Sequence, residues 1–160
     1  KLLMSTVLEP VRANTTLDQV NFTADETFLN KYVPDNFENS GNDWIVLRYA
    51  DVLLLYAEAV IGDTAGTDDQ DAIDAYNKVR ERAGVSLLET GASLTRELVL
   101  LERRLEFVFE NQRFYDLIRF GEAVEVLQAF SDEQGLSFNT SDLYLAIPQR
   151  EIDNTSGFFN

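Results

Sequence analysis

Three glutamates, Glu102, Glu106 and Glu110, recur at every fourth position within Thr95 to Gly121, TRELVLLERRLEFVFENQRFYDLIRFG. At about 100° per residue, that spacing sets them in one row along a helix. A fourth acid, Glu58, stands with Arg48 and Asp51 as the charged exceptions in an otherwise apolar stretch, Asp43 to Ile61. Paired carboxylates could hydrolyse a glycosidic bond, which needs two acids roughly 5 to 9.5 Å apart. Acids strung along one helix beside Arg103, Arg104, Arg113 and Arg119 fit that geometry poorly. They fit ion pairing better. An isolated buried carboxylate needs a cation or a proton, and a guanidinium satisfies it with two parallel bonds. The expected structural ion-pair residues are therefore Arg48, Asp51, Glu58, Glu102, Glu106, Glu110, Arg113, Asp116 and Arg119. Arg48 is expected to reach Asp51 at i,i+3, and Arg80 is a further candidate partner.

Composition removes other chemistry. The chain has no Cys and no His, so thiolate nucleophiles, Ser-His-Asp triads and imidazole zinc sites are excluded. No Gly-rich phosphate loop is present, and the acidic run Asp63 to Asp69 lacks the ligand spacing of a calcium loop. No cofactor and no metal are expected. A net charge of −15 argues against nucleic acid, whose phosphates attract basic patches. No apolar run reaches the 18 or so residues of a membrane-spanning helix. A chain of 160 residues that is 45% apolar is long enough to bury a core as one domain.

The elements that must position the acids are helical. Asp43 to Ile61 is apolar nearly all round and reads as a buried helix, capped by Asp43 and stopped at Gly62. Asp68 or Asp69 caps a second helix, Gln70 to Ala83, with Ala72, Ile73, Tyr76, Val79 and Ala83 on one face and Gly84 at its end. The two make an antiparallel, Ala-rich hairpin of tetratricopeptide type. The central helix starts after Ser93 or Thr95 and is expected to break near Asn111 or Gln112. Leu98, Leu101, Leu105, Val108 and Phe109 form its main stripe, with Leu100 and Phe107 opposite. Glu102 falls inside that stripe. A short helix follows over Glu122 to Phe130, then an extended LYLAI (Leu143 to Ile147) and one turn over Gln149 to Ile152.

The fold class expected is all-α: a helical bundle with long irregular loops. Residues 1–43 form a loop-rich segment, 44–130 the helical core and 131–160 an extended tail. Pro10, Pro34 and the scattered Asn residues break regular structure in the first segment. Its aromatics include Tyr32 and Phe37, and Trp44 follows. Tyr32, Phe37 and Trp44 are the candidate ligand contacts, since flat rings stack on sugar faces. The alternative for them is to pin the loop onto the bundle.

Four stretches in series resemble the C-terminal region of the SusD/RagB family: LRYADVLLLYAEA (Leu47 to Ala59), YNKVRERAG (Tyr76 to Gly84), LLERRLEFVFENQRFYDLIRFG (Leu100 to Gly121) and LAIPQREIDN (Leu145 to Asn154). The tail departs from the family's usual Asn-Pro-Gly-Tyr ending. Members are several times longer, and their N-terminal half carries a lipidated Cys and further helical hairpins. The resemblance implies a non-enzymatic component of an outer-membrane uptake system at the cell surface. Such a component binds an oligosaccharide or other nutrient and works with a TonB-dependent transporter. No ligand residue transfers from the family to this chain. The readings that compete are a tetratricopeptide-like module for a protein partner and a carboxylate-based glycoside hydrolase.

Overall fold

The computed structural model describes residues 17–23, 26–29, 43, 45–155 and 158. The backbone divides into two compact units, Lys1–Arg113 and Phe114–Asn160.

The first unit opens with an antiparallel pair, β1 (Leu17–Thr23) and β2 (Glu26–Leu29), in which Leu17 lies opposite Leu29 and Thr23 opposite Glu26. This hairpin falls where irregular chain was expected. Its strands mix apolar with polar residues and lack strict alternation, so period-2 patterning does not mark them.

Helix α1 (Tyr49–Ile61) begins at Tyr49, not at Asp43, and ends as expected at Gly62. Arg48 stands at its N-cap in extended conformation (φ −140°, ψ 167°). Helix α2 (Gln70–Ala83) has the expected bounds. The Asp69 carboxylate accepts from the Ala72 amide at 2.9 Å, and Gly84 closes the helix in the left-handed region at φ 70°. Between these helices, β3 (Gly66–Thr67) pairs with β4 (Leu94–Thr95). Gly66 is required there by proximity. A Cβ at this position would lie 2.9 Å from the Leu94 carbonyl oxygen.

Helix α3 (Arg96–Glu106) is capped by Thr95, whose hydroxyl accepts from the Leu98 amide at 3.3 Å. Its helical geometry stops at Glu106, earlier than the expected break, and the chain turns through Phe107–Asn111. Phe109 and Asn111 sit at φ 64° and 61°. Asn tolerates this region, while a bulky residue there is strained.

α1 packs on both α2 and α3. Leu54, Ala57 and Ile61 meet Ala72, Ile73, Tyr76, Val79 and Ala83 of α2 and Val99 of α3 in a core closed to solvent. The small Ala residues let the helix axes approach closely.

The second unit holds α4 (Arg113–Phe120, which starts one residue before the division), α5 (Ala123–Gln134), a 3-10 turn (Thr140–Leu143) and α6 (Gln149–Asn154). Among its described residues, Leu117 and Ala123 are the buried apolar ones. α5 runs past Phe130 to Gln134, where Gly135 closes it at φ 66°. The apolar LYLAI piece makes no strand; Tyr144, Leu145 and Ile147 are exposed. The described residues are predominantly helical.

Candidate functional site

The chemistry-bearing residues of the first unit converge where α1, α2 and α3 meet. The extended backbone of Arg48 sends its guanidinium across to the end of α3. Its Nε and Nη2 donate to the two Glu110 carboxylate oxygens, both at 2.9 Å, a bidentate pair. Nη1 donates to Glu106 Oε1, and Nη2 also donates to the Glu106 carbonyl at 2.9 Å. Arg82 of α2 donates to the same Glu106 oxygen. One guanidinium thus clamps both ends of the Glu106–Glu110 turn.

Two further pairs extend the cluster. Arg80 Nη1 donates to Glu102 Oε2 at 2.7 Å, and Glu102 is wholly buried. Arg103 Nη1 donates to Asp51 Oδ1 at 2.6 Å, with both residues buried. Phe107, also buried, presents its ring to two cations: the Arg48 and Arg103 guanidinium carbons lie 4.5 and 4.8 Å from its centroid. Such contacts stabilise a guanidinium that has lost water. Burial works to lower the Arg48 pKa, but its hydrogen bonds to Glu110 and Glu106 outweigh that and raise it above the ordinary value. Arg48 is a fixed cation at every working pH. At the exposed start of α3, a hydrogen bond from Thr95 holds the Glu97 carboxyl below its usual range.

The partners differ from those expected. Arg48 pairs with Glu106 and Glu110, not with Asp51, and Asp51 takes Arg103. An i,i+3 pair needs Arg48 on the helix, and Arg48 stands at the extended N-cap before it. The buried face of α3 is also not the expected one. Val99, Glu102, Arg103 and Glu106 face inward, while Leu101 and Phe109 of the apolar stripe are exposed. Arginines from α1 and α2 meet the acids there, so the charged face is the one that docks. Glu58 is half-buried on α1.

In the second unit, buried Asp116 accepts from Arg119 Nε at 3.1 Å and Nη2 at 3.0 Å. Arg113 is half-buried. Sequence reading missed Arg82, whose only signal was its place in the last turn of a helix, where cations are favoured anyway. It also missed the role of Phe107. Tyr32, Phe37 and Trp44 lie outside the described residues.

Chemically, Glu102, Glu106, Glu110 and Asp51 each sit on a guanidinium, which does not give up its proton in proteins. Acids held this way do not form the open donor–acceptor pair of a hydrolase. Among the described residues no cluster of acids is arranged to hold a metal, and no helix is long and apolar enough to cross a membrane.

Comparison with known proteins gives one consistent answer. The SusD family profile matches residues 8–158. A SusD-like protein of Bacteroides ovatus is 38% identical over 80 residues, half of this chain and 14% of that protein. SusD-like protein P2 of Formosa agariphila is 31% identical over 132 residues, 76% of this chain and 26% of its own. Among solved structures, surface glycan-binding protein A of Bacteroides uniformis superposes with a TM-score of 0.72 at 31% identity, covering 94% of this chain and 37% of that one. Its namesake from Bacteroides thetaiotaomicron, in complex with laminarihexaose, gives 0.70 at 32% identity, covering 91% and 36%. The chain therefore spans about a quarter or less of these curated relatives and little more than a third of these solved structures. With its helical core, its order of motifs and nearly its whole length matched, the chain belongs to the SusD family.

Proposed function

We propose that this chain is the scaffold part of a surface glycan-binding protein that captures an oligosaccharide without cleaving it. The observation that carries the reading is the likeness to a surface glycan-binding protein in complex with laminarihexaose, which extends over 91% of this chain at a TM-score of 0.70. The arginine-held acids support the non-catalytic side of the reading, because among the described residues these acids form ion pairs and not an acid–base pair poised for hydrolysis. The whole protein acts at the cell surface and passes its ligand to a TonB-dependent transporter. Within this chain the cluster around Arg48 holds three helices in register. Ligand contacts come from the segment containing Tyr32, Phe37 and Trp44, where aromatic faces suit the C–H faces of sugars.

Calorimetry against a panel of β-glucan oligosaccharides, laminarihexaose included, tests the reading. Chromatography of the same samples tests for cleavage. The expected result is binding with the oligosaccharide recovered intact. Shortened products would overturn the non-catalytic reading, and no binding across the panel would remove the β-glucan class. Alanine at Tyr32 and Phe37 should weaken affinity; unchanged affinity would place the contacts elsewhere. Co-purification from membranes with a transporter barrel tests the partner.

A further inference from the structure

α3 stops at Glu106, yet the residues that follow, Phe107 to Arg113, include neither Gly nor Pro. A continuing helix would bond the Glu110 amide to the Glu106 carbonyl. In the turn that amide donates to the Phe107 carbonyl instead, at 3.0 Å. The Glu106 carbonyl receives Nη2 of Arg48 at 2.9 Å, and the same guanidinium grips both Glu110 carboxylate oxygens. Arg48 thus occupies the acceptor that a longer helix would use. The turn it holds is strained. Phe109 sits at φ 64°, where crowding of the Cβ shifts the conformational equilibrium by a factor of roughly 5 to 30. Phe109 is 53% exposed, so burial of its ring does not account for the strain. Strain of this kind persists only where the surrounding contacts impose it. Arg48 is also the last residue before α1, and the chain leading into it is exposed at Val46 and Leu47.

We propose that Phe107–Asn111 is a latch with two states, set by Arg48. With the guanidinium in place, the segment is the strained turn. With Arg48 withdrawn, the Glu106 carbonyl takes the Glu110 amide and Phe109 leaves the left-handed region. α3 then grows by about one and a half turns. Because Arg48 belongs to the approach to α1, displacing that approach releases the turn. By linkage, winding the turn into helix loosens the approach. One side chain thereby couples segments 58 and 62 positions apart. Arg82 does not share the role: it bonds the Glu106 carboxylate, which takes no part in the helix ladder. The inference does not depend on which ligand the protein binds.

Gly and Ala at position 109 both remove the ring and differ in backbone preference. Gly accepts the left-handed region freely, and Ala favours helix over Gly by about fivefold. In the whole protein, Phe109→Gly should therefore unfold at a higher urea midpoint than Phe109→Ala. Combined with Arg48→Met, the order should reverse, with Ala the more stable. With Arg48 present, amide exchange at Val46 to Arg48 should be at least about fivefold faster in Phe109→Ala than in Phe109→Gly. If Arg48→Met does not fold, Arg48→Lys replaces it. Lysine keeps the charge but lacks the fork that reaches both Glu110 oxygens and the Glu106 carbonyl. The same order of Gly and Ala in both backgrounds overturns the proposal, and so do equal exchange rates. Unfolding of both Arg48 variants overturns it as well, since the clamp would then be a fixed part of the fold with no second state.

Discussion

Arg48→Met removes one cation from the centre of the cluster while keeping most of the stem. It deletes the bidentate pair to Glu110, one bond to Glu106 and one to the Glu106 carbonyl. Breaking a buried ion pair costs about 3–5 kcal/mol, because it strands a desolvated charge. Two facts place this change near the lower end. The Arg48 side chain is 24% exposed, so water screens part of the interaction, and Glu106 keeps Arg82. Loss of the contact to Phe107 adds about 0.5–1 kcal/mol. The expected loss is about 3 kcal/mol, out of a total stability typically about 5–15 kcal/mol. Urea unfolding followed by far-UV circular dichroism is the assay. With a slope of about 1–3 kcal/mol/M, the midpoint should fall by about 1–3 M. Arg48 stays protonated because its pKa is raised. Its own titration therefore adds no pH dependence to the parent's stability in the working range. Glu110→Gln in the Arg48→Met background should restore part of the loss, since it removes the stranded charge, with a coupling of about 0.5–3 kcal/mol. A midpoint for Arg48→Met within about 0.3 M of the parent's would refute the reasoning, and so would strict additivity in the double variant. Either would mean that the clamp is a solvated surface contact.

Glu102→Gln keeps an acceptor for Arg80 but removes the buried charge, and should cost about 3 kcal/mol by the same denaturation assay; equal stability would place Glu102 in solvent. Gly66→Ala should destabilise by about 1–3 kcal/mol, since the added methyl meets the Leu94 carbonyl, and a melting temperature at or above the parent's would show that β3 and β4 yield freely. Glu97 has a folded pKa below its unfolded one, so its contribution is present above the unfolded value and is lost as pH falls through the folded value. Glu97→Gln should therefore lower the melting temperature slightly at neutral pH, and the gap to the parent should close in acid. A gap that widens on acidification would reverse the sign.

Local signals were enough for much of this protein. α2 was legible at both ends because its markers act over one turn: an Asp that bonds the Ala72 amide and a Gly that adopts the left-handed region. The end of α1 at Gly62 and the cap at Thr95 were legible for the same reason. Four motifs in series carried the family. The start of α1 was not legible. Arg48 is extended because its guanidinium is held by residues 58 and 62 positions away, and no helix-start rule acts over that distance. The turn after Glu106 has a similar cause, being clamped at both ends by the same side chain. The buried face of α3, with Val99, Glu102, Arg103 and Glu106, is not legible from periodicity, which ranks faces by apolar content. Desolvating Glu102, Arg103 and Glu106 is unfavourable for α3 alone and becomes acceptable only when Arg80, Arg82, Arg48 and Asp51 arrive from other elements. The types and spacings of the residues thus fixed which helices form and which acids need cations. Only the packing of three helices decided which cation each acid receives and which face of α3 turns inward, because pairing energies depend on neighbours that are distant in the chain.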